Sequence, residues 1–208
     1  MKLDFKKTQK ELYQPKTTPS IIDVPEMTFI AIDGKGNPNT SIEYKNAVEL
    51  LYGLAYAIKM NNKHILDYVV PPLEGFWQVD DESFKGGGTP ILDKSKFIWA
   101  MMLRQPDFVT AEIFETAKTV FSKKKPNVDV NPAMLTTITE GLCVQVMHIG
   151  SYDDEPATVA TLDQYAIDNG YVIDINETRR HHEIYLSDPR KTAAEKLKTV
   201  LRHPIRKK

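Results

Sequence analysis

The sequence predicts an α+β fold in which one βαββ unit occurs twice and forms an antiparallel sheet. Three observations carry this expectation. Apolar residues recur at helical spacing in stretches such as 41–60. Short β-branched and aromatic runs flank those stretches, and the order strand–helix–strand–strand can be read in each half of the chain. A chain of 208 residues buries roughly 70% of the surface it would expose when unfolded, enough for a substantial core.

Residues 1–20 are Lys-rich and broken by Pro15 and Pro19, which predicts a loosely packed entry segment. The first strand is read at Met27–Asp33, with Met27, Phe29 and Ala31 on one face. Thr40-Ser41-Ile42-Glu43 is a capping-box pattern. Behind it Ile42, Tyr44, Ala47, Val48, Leu51, Leu54, Ala55 and Ile58 repeat with the helical period, so 41–60 is an amphipathic helix. Two strand-like runs follow, Leu66–Val79 and Lys94–Arg104, joined by the hairpin connection DDESFKGGGTP. A helix over 110–124 is stopped by Pro126, and Asn127–Thr139 reads as the connector between the halves.

The second half repeats the plan. Leu142–Ile149 is a strand, and a helix runs from Glu155 to Asn169 with Asp154 as N-cap, Pro156 in its first turn and Gly170 after its end. Arg180–Ser187 and Thr199–Arg206 are strands, with a short helix from Asp188 between them. Gly34 pairs with Gly150, and Glu74 with Glu183, at nearly equal offsets. The repeats therefore lie at about 26–126 and 140–207 within one domain, 21–208. The expected product has helices on one side of the sheet and a pocket on the other, between the repeats.

Composition narrows the function. Lys and Arg (27) balance Asp and Glu (28), so neither nucleic acid nor an anionic membrane is an expected partner. The basic bias of 189–208 reads as an edge strand defended by lysines. Cys143 is the single cysteine, which excludes an intrachain disulfide. The N-terminus lacks the apolar stretch of a secretory signal. No apolar run approaches the ~20 residues of a membrane helix, and a cytoplasmic location is expected.

The informative feature is acid and aromatic side chains placed together in strands. Alternation sets Glu74 and Phe76 on one face of Pro72–Trp77, and Glu183 on one face with His181 and Tyr185. A glutamate within a strand is unfavourable unless it faces solvent, is paired, or serves a site. Trp99, Tyr68 and Tyr152 are the other candidates. Flat aromatic faces around a carboxylate would suit a planar or cationic small molecule, although a tryptophan in a strand is also ordinary core. Gly34-Lys35-Gly36 lacks the third glycine of a dinucleotide fingerprint and the ending of a phosphate loop. His148, His181 and His182 show no metal-binding spacing, so neither cofactor nor metal is expected.

The motifs PPLEGFWQ (71–78), KFIWAMMLRQPDFVT (96–110), HIGSYDDEPATVATLDQY (148–165) and HHEIYLSDP (181–189) together resemble the GyrI-like small-molecule-binding family, in particular its stand-alone bacterial branch. That resemblance implies a duplicated SHS2-type βαββ fold with a ligand cleft between the repeats. It implies one of three activities: hydrolysis of cyclopropanoid DNA-alkylating compounds, sequestration of lipophilic or cationic drugs, or inhibition of gyrase. The family's strand glutamate in an E-x-Y context matches Glu183 and Tyr185, and the EGxW element of the stand-alone branch matches Glu74 and Trp77. About 25 residues precede the first predicted strand, so the transcription-regulator role of fused members is not carried over. On the hydrolase reading Glu183 is the general base and Tyr152 or Tyr185 a donor to the substrate oxygen. Tyr68, Trp77, Trp99 and Tyr185 would form the aromatic surface, with Glu74 as a second carboxylate.

Overall fold

The structure is a computed structural model that describes residues 2–79 and 93–208. Strands β1 (Ser20–Lys35), β2 (Leu73–Val79), β3 (Phe97–Gln105), β4 (Met134–Ile149), β5 (Tyr171–Ile173), β6 (His181–Tyr185) and β7 (Lys198–Lys207) form one antiparallel sheet. Its order is β4-β1-β3-β2-β6-β7-β5, and β4 also pairs with β7, so the sheet closes on itself. The arrangement is that of a duplicated unit. β1-β3-β2 from one repeat and β4-β7-β6 from the other meet at two seams, β1–β4 and β2–β6.

Helices α3 (Ile42–Asn61) and α4 (Ala111–Lys124) pack on the outer face of the first repeat, and α5 (Glu155–Asp168) on that of the second. Leu50, Leu51, Leu54 and Ile58 of α3 meet Ile30, Ile32, Met101 and Leu103 of the strands. Ser41 caps α3 by accepting from the Tyr44 amide, so the capping residue lies one position beyond Thr40. Thr110 caps α4 in the same way. Asp154 does not cap α5: its carboxylate accepts from Ser151 Oγ at 2.7 Å instead. Gly170, at φ +85°, takes the left-handed position after α5.

Several expectations are corrected. β1 starts at Ser20, and Asn127–Thr139 is not a connector throughout, because β4 begins at Met134 and pairs with β1 from Ala31 onward. β2 is confined to Leu73–Val79, and β5 pairs as an additional strand with the end of β7. No helix follows Asp188; a turn stands there, and a single 3-10 turn at Ala194–Lys196 follows. The predicted hairpin connection lies outside the described residues. Among those described, no helix is long and apolar enough to cross a membrane.

The N-terminal segment is also not loose. Short helices α1 (Phe5–Thr8) and α2 (Lys10–Tyr13) bury Phe5, Leu12 and Tyr13 against the inward face of the closed sheet, with Met27, Phe29, Met102, Met147 and Ile184. Charge holds them there as well as apolar burial. Arg202 donates to the Leu12 carbonyl at 3.1 Å and Gln145 to that of Glu11 at 2.7 Å, while Arg104 reaches Gln9 and lies 4.0 Å over the Phe5 ring. Lysine density and prolines suggested looseness because these inward-facing partners are distant in sequence.

The inward face holds a buried ionic network. His182 Nδ1 lies 3.0 Å from both oxygens of Glu140, Arg202 Nη1 lies 2.6 Å from Glu140 Oε1, and His182 Nε2 lies 3.2 Å from Glu74 Oε2. Tyr13 donates to Glu74 Oε1 at 3.2 Å. Burial alone would raise the Glu140 carboxyl, but His182 and Arg202 outweigh it and hold the group at about 2. Burial would likewise lower His182, and Glu140 with Glu74 reverses that, so its pKa lies above the ordinary 6.5. Glu140 therefore contributes stability at neutral pH that is lost as pH falls from 4.5 toward about 2. The His182 contribution is present below pH 6.5 and is lost as pH rises through its elevated folded value. Glu140→Gln, which leaves two buried cations short of a partner, should lower stability at neutral pH by about 3–5 kcal/mol. It should also flatten the acid limb of the stability curve, as read by urea denaturation across pH. An unaltered acid limb would show that another carboxylate governs it.

Candidate functional site

The cleft follows from strand register. Gly75 of β2 pairs with Glu183 of β6, Leu73 with Tyr185 and Trp77 with His181, so these side chains share the outer face. Glu74 and Phe76 pair with Ile184 and His182 on the inner face. Above this floor run two helical stripes. Tyr44, Val48, Tyr52 and Tyr56 follow one another at four-residue spacing on α3, and Glu155, Val159, Asp163 and Ile167 do so on α5. They enclose a cleft of about 2220 Å³, roomier than the roughly 300–1,000 Å³ of a typical drug site. The cleft lies on the helix side of the sheet. The expected position opposite the helices is corrected, because the N-terminal segment fills the other face.

Glu183 stands at the centre of the floor with its side chain 14% exposed. Tyr185 Oη donates to Glu183 Oε2 at 2.7 Å, and the Trp77 indole N–H donates to Tyr185 Oη at 2.8 Å. The other carboxylate oxygen lies 3.0 Å from His181 Nε2. Tyr152, in a 3-10 turn between β4 and α5, stands edge-on to Tyr185 at 5.8 Å. Tyr44 leans against Trp77 at 6.2 Å and against Trp99 at 5.2 Å. Gly75 keeps this floor open. A Cβ there would lie 2.9 Å from Trp77 Nε1 and 3.0 Å from Met101 Sδ, displacing the indole that holds Tyr185.

Glu155 stands apart electrostatically from the other acids that line the cleft. Burial first, and the nearby Glu183 charge second, push the Glu155 carboxyl far above the usual carboxylate range, so Glu155 is protonated at neutral pH. Burial, with Glu155 and Glu183 adding to it, pushes Tyr152 up to about 12. Burial and Glu183 raise Tyr44 too, and burial and Glu183 raise Tyr185, so all three phenols keep their protons. Around Glu183 the cleft thus presents neutral donors.

Of the residues singled out from sequence, Glu183, Tyr152, Trp77 and Tyr185 line this cleft. Three are placed elsewhere. Glu74 faces inward against Tyr13 and His182, because register puts Glu183 opposite Gly75 and not Glu74. Trp99 is fully buried beneath Tyr44, over Gly34, where a Cβ would lie 2.2 Å from its ring. Tyr68 is buried with its hydroxyl 3.4 Å from the Ala55 carbonyl. Sequence reading missed Tyr44, Glu155, Asp163 and His203. The available signal was the four-residue spacing of polar and aromatic residues on α3 and α5, which a core stripe mimics.

Fold and site together describe a ligand-binding α+β domain whose cleft runs along the seam between two repeats. The sequence matches the profile of the GyrI-like small molecule binding domain over residues 17–206, and the chain belongs to that family. An uncharacterized conserved protein from Listeria innocua is similar at 46% identity and TM-score 0.92, over 99% of this chain and 100% of that one. A Listeria innocua protein described as a hydrolase is similar at 46% identity and TM-score 0.88, with the same coverage. The EcmrR C-terminal domain, at 14% identity and TM-score 0.54 over 92% of this chain and 98% of its own, shares the fold alone. No protein of curated function matches.

The protonated state of Glu155 has a cost in stability. Above its ordinary range of 4.5 the unfolded chain releases this proton while the fold retains it, so the group's contribution is lost as pH rises. Glu155→Gln should therefore raise stability near pH 8, on the order of 1 kcal/mol or more, and change it little near pH 4. Paired urea titrations at the two pH values read this directly, and equal effects at both would contradict it.

Proposed function

We propose that this chain is a hydrolase that opens a strained electrophilic ring on flat aromatic compounds, of the cyclopropanoid type that the family resemblance implies. The observation that carries the reading is Glu183. It is a carboxylate held at both oxygens on the floor of an aromatic cleft, close to a second carboxyl group that is protonated. The 46% identity to a Listeria innocua protein described as a hydrolase supports it.

A cyclopropane fused to a cyclohexadienone is electrophilic because opening it creates an aromatic phenol. Trp77 and Tyr44 would stack on the flat ligand and present the strained carbon to water. As the water oxygen bonds to that carbon, the ring C–C bond breaks and its electron pair moves through the ring to the carbonyl oxygen. Glu183 accepts the proton of the water, a contribution typically worth ~10²–10⁴-fold. Glu155, as a neutral acid, and Tyr152 donate to the developing phenolate, which takes the Glu155 proton. In a cell the consequence would be cytoplasmic protection against a genotoxic alkylating agent.

Incubating wild type and Glu183→Gln with a planar cyclopropanoid alkylating agent, followed by mass spectrometry, tests the proposal. Wild type should convert the compound to a product heavier by one water. The variant should be slower by ~10²–10⁴-fold at similar affinity. Recovery of unchanged compound, bound one-to-one to wild type, would replace the hydrolase with a sequestering protein.

A further inference from the structure

Glu183 is the first member of a longer chain of contacts. His181 Nε2 lies 3.0 Å from Glu183 Oε1, His181 Nδ1 lies 2.7 Å from His203 Nε2, and His203 Nδ1 lies 2.6 Å from Asp163 Oδ1. The four residues come from three elements, β6, β7 and α5. Both imidazoles use both ring nitrogens, standing nearly perpendicular with centroids 4.8 Å apart. Each contact is short enough to need a hydrogen between its two heavy atoms. The proton count follows. Three bridging protons shared by two carboxylates and two imidazoles leave the chain with a single negative charge.

Those three protons have two end arrangements. In one, Glu183 carries a proton that it donates to His181 Nε2, His181 donates from Nδ1 to His203, and His203 donates from Nδ1 to an ionised Asp163. In the other every bridge is reversed: Asp163 carries the proton, both histidines hold theirs on Nε2, and Glu183 is ionised. Moving each bridging proton across its own bond converts one into the other, so a proton leaves one carboxyl and another arrives at the far carboxyl with no ring rotation.

We infer that His181 and His203 form a proton wire that connects Glu183 on the cleft floor to Asp163 on α5. The chemical role of the wire rests on the hydrolase reading above, whereas its existence does not. In turnover Glu183, ionised in the second arrangement, takes the proton of water while Asp163, 17% exposed at the cleft wall, gives its own to solvent. Once solvent exchange returns the histidine protons to Nδ1, a shift along the wire moves the proton from Glu183 to Asp163 and frees the base again. Glu155, having given its proton to the product oxygen, regains one from solvent, so the cycle is neutral overall.

The surroundings favour export along this path. Tyr185 from β6, Tyr44 from α3, and Tyr152 with Glu155 from the turn and helix after β4 all face Glu183. The three phenols hold their own protons throughout, so none takes one from Glu183. His203, shifted down by burial against the pull of Asp163, does not trap the charge as an imidazolium. His181 and His203 act here as relay and positioning residues, since neither needs to touch the substrate.

The test is ¹⁵N NMR of the histidine side chains across pH in wild type, Asp163→Asn and His203→Gln, combined with steady-state kinetics on the cyclopropanoid compound. Coupled protons require the His181 nitrogens to shift in Asp163→Asn, although Asp163 meets His203 and not His181. His203→Gln, which keeps a donor and an acceptor but cannot relay, should leave His181 titrating alone. Both variants should lower kcat by roughly tenfold or more while KM stays near that of wild type, with the pH profile of kcat displaced. His181 signals that ignore Asp163→Asn would overturn the wire even if the compound is turned over. Coupled signals in a wild type that leaves the compound unopened would instead sink the hydrolase reading and keep the wire.

Discussion

The pairing of β2 with β6, in the register that sets Gly75 opposite Glu183, is the constraint on which the site depends. Because side chains alternate across a strand, this one register decides the fate of five consecutive residues in β6. His181, Glu183 and Tyr185 enter the cleft, while His182 and Ile184 enter the interior. A slip of one residue would exchange the two sets. It would put the cleft carboxylate beside Glu74 and Glu140 in the interior, and the doubly paired His182 into the cleft.

The two faces of β6 also stabilise each other electrostatically. The interior face is anchored by His182 between Glu140 and Glu74, with Arg202 bound to Glu140. Buried charges are expensive unless paired, and here the pairing joins both repeats and the N-terminal segment, through β2, β4, β6, β7 and α2. Such a network fixes register more strictly than apolar packing, because a displaced apolar residue still finds apolar neighbours whereas a displaced buried charge is left alone. The geometry of the cleft floor is thus held from beneath by a network that no cleft ligand touches.

This division explains what sequence reading reached. Helix α3 was legible from its periodicity, α5 from Pro156 and Gly170, and the duplicated unit from the order of elements, because those signals are local. Glu183 and Tyr185 were legible because alternation places them on one face whatever their partners are. Glu74 was misplaced for the opposite reason. Its similarity to Glu183 is one of local context, and only pairing between β2 and β6 shows that the two carboxylates point to opposite faces. Trp99 was misjudged because its neighbour, Gly34, lies across the sheet. The N-terminal segment was misread because its composition is that of a surface, and the arginine and glutamine side chains that hold its backbone lie far along the chain. Asp163 and His203 meet across α5 and β7, a contact that no local pattern encodes.

The charge state of the cleft then weighs on what kind of ligand it suits. An aromatic box for organic cations works best with full carboxylate charges facing the rings. Here the second acid, Glu155, is neutral, and the contacts of Glu183 are already taken by Tyr185 and by a wire that shares its protons with His181. At Glu183 the cleft therefore offers a cation little unspent negative charge. It offers a flat neutral molecule something different: aromatic walls, protonated donors for an oxygen that gains charge, and an acceptor for the proton of a water. Those groups gain most in a state where negative charge grows on the ligand, which is the condition for lowering a barrier and not merely for holding a ground state.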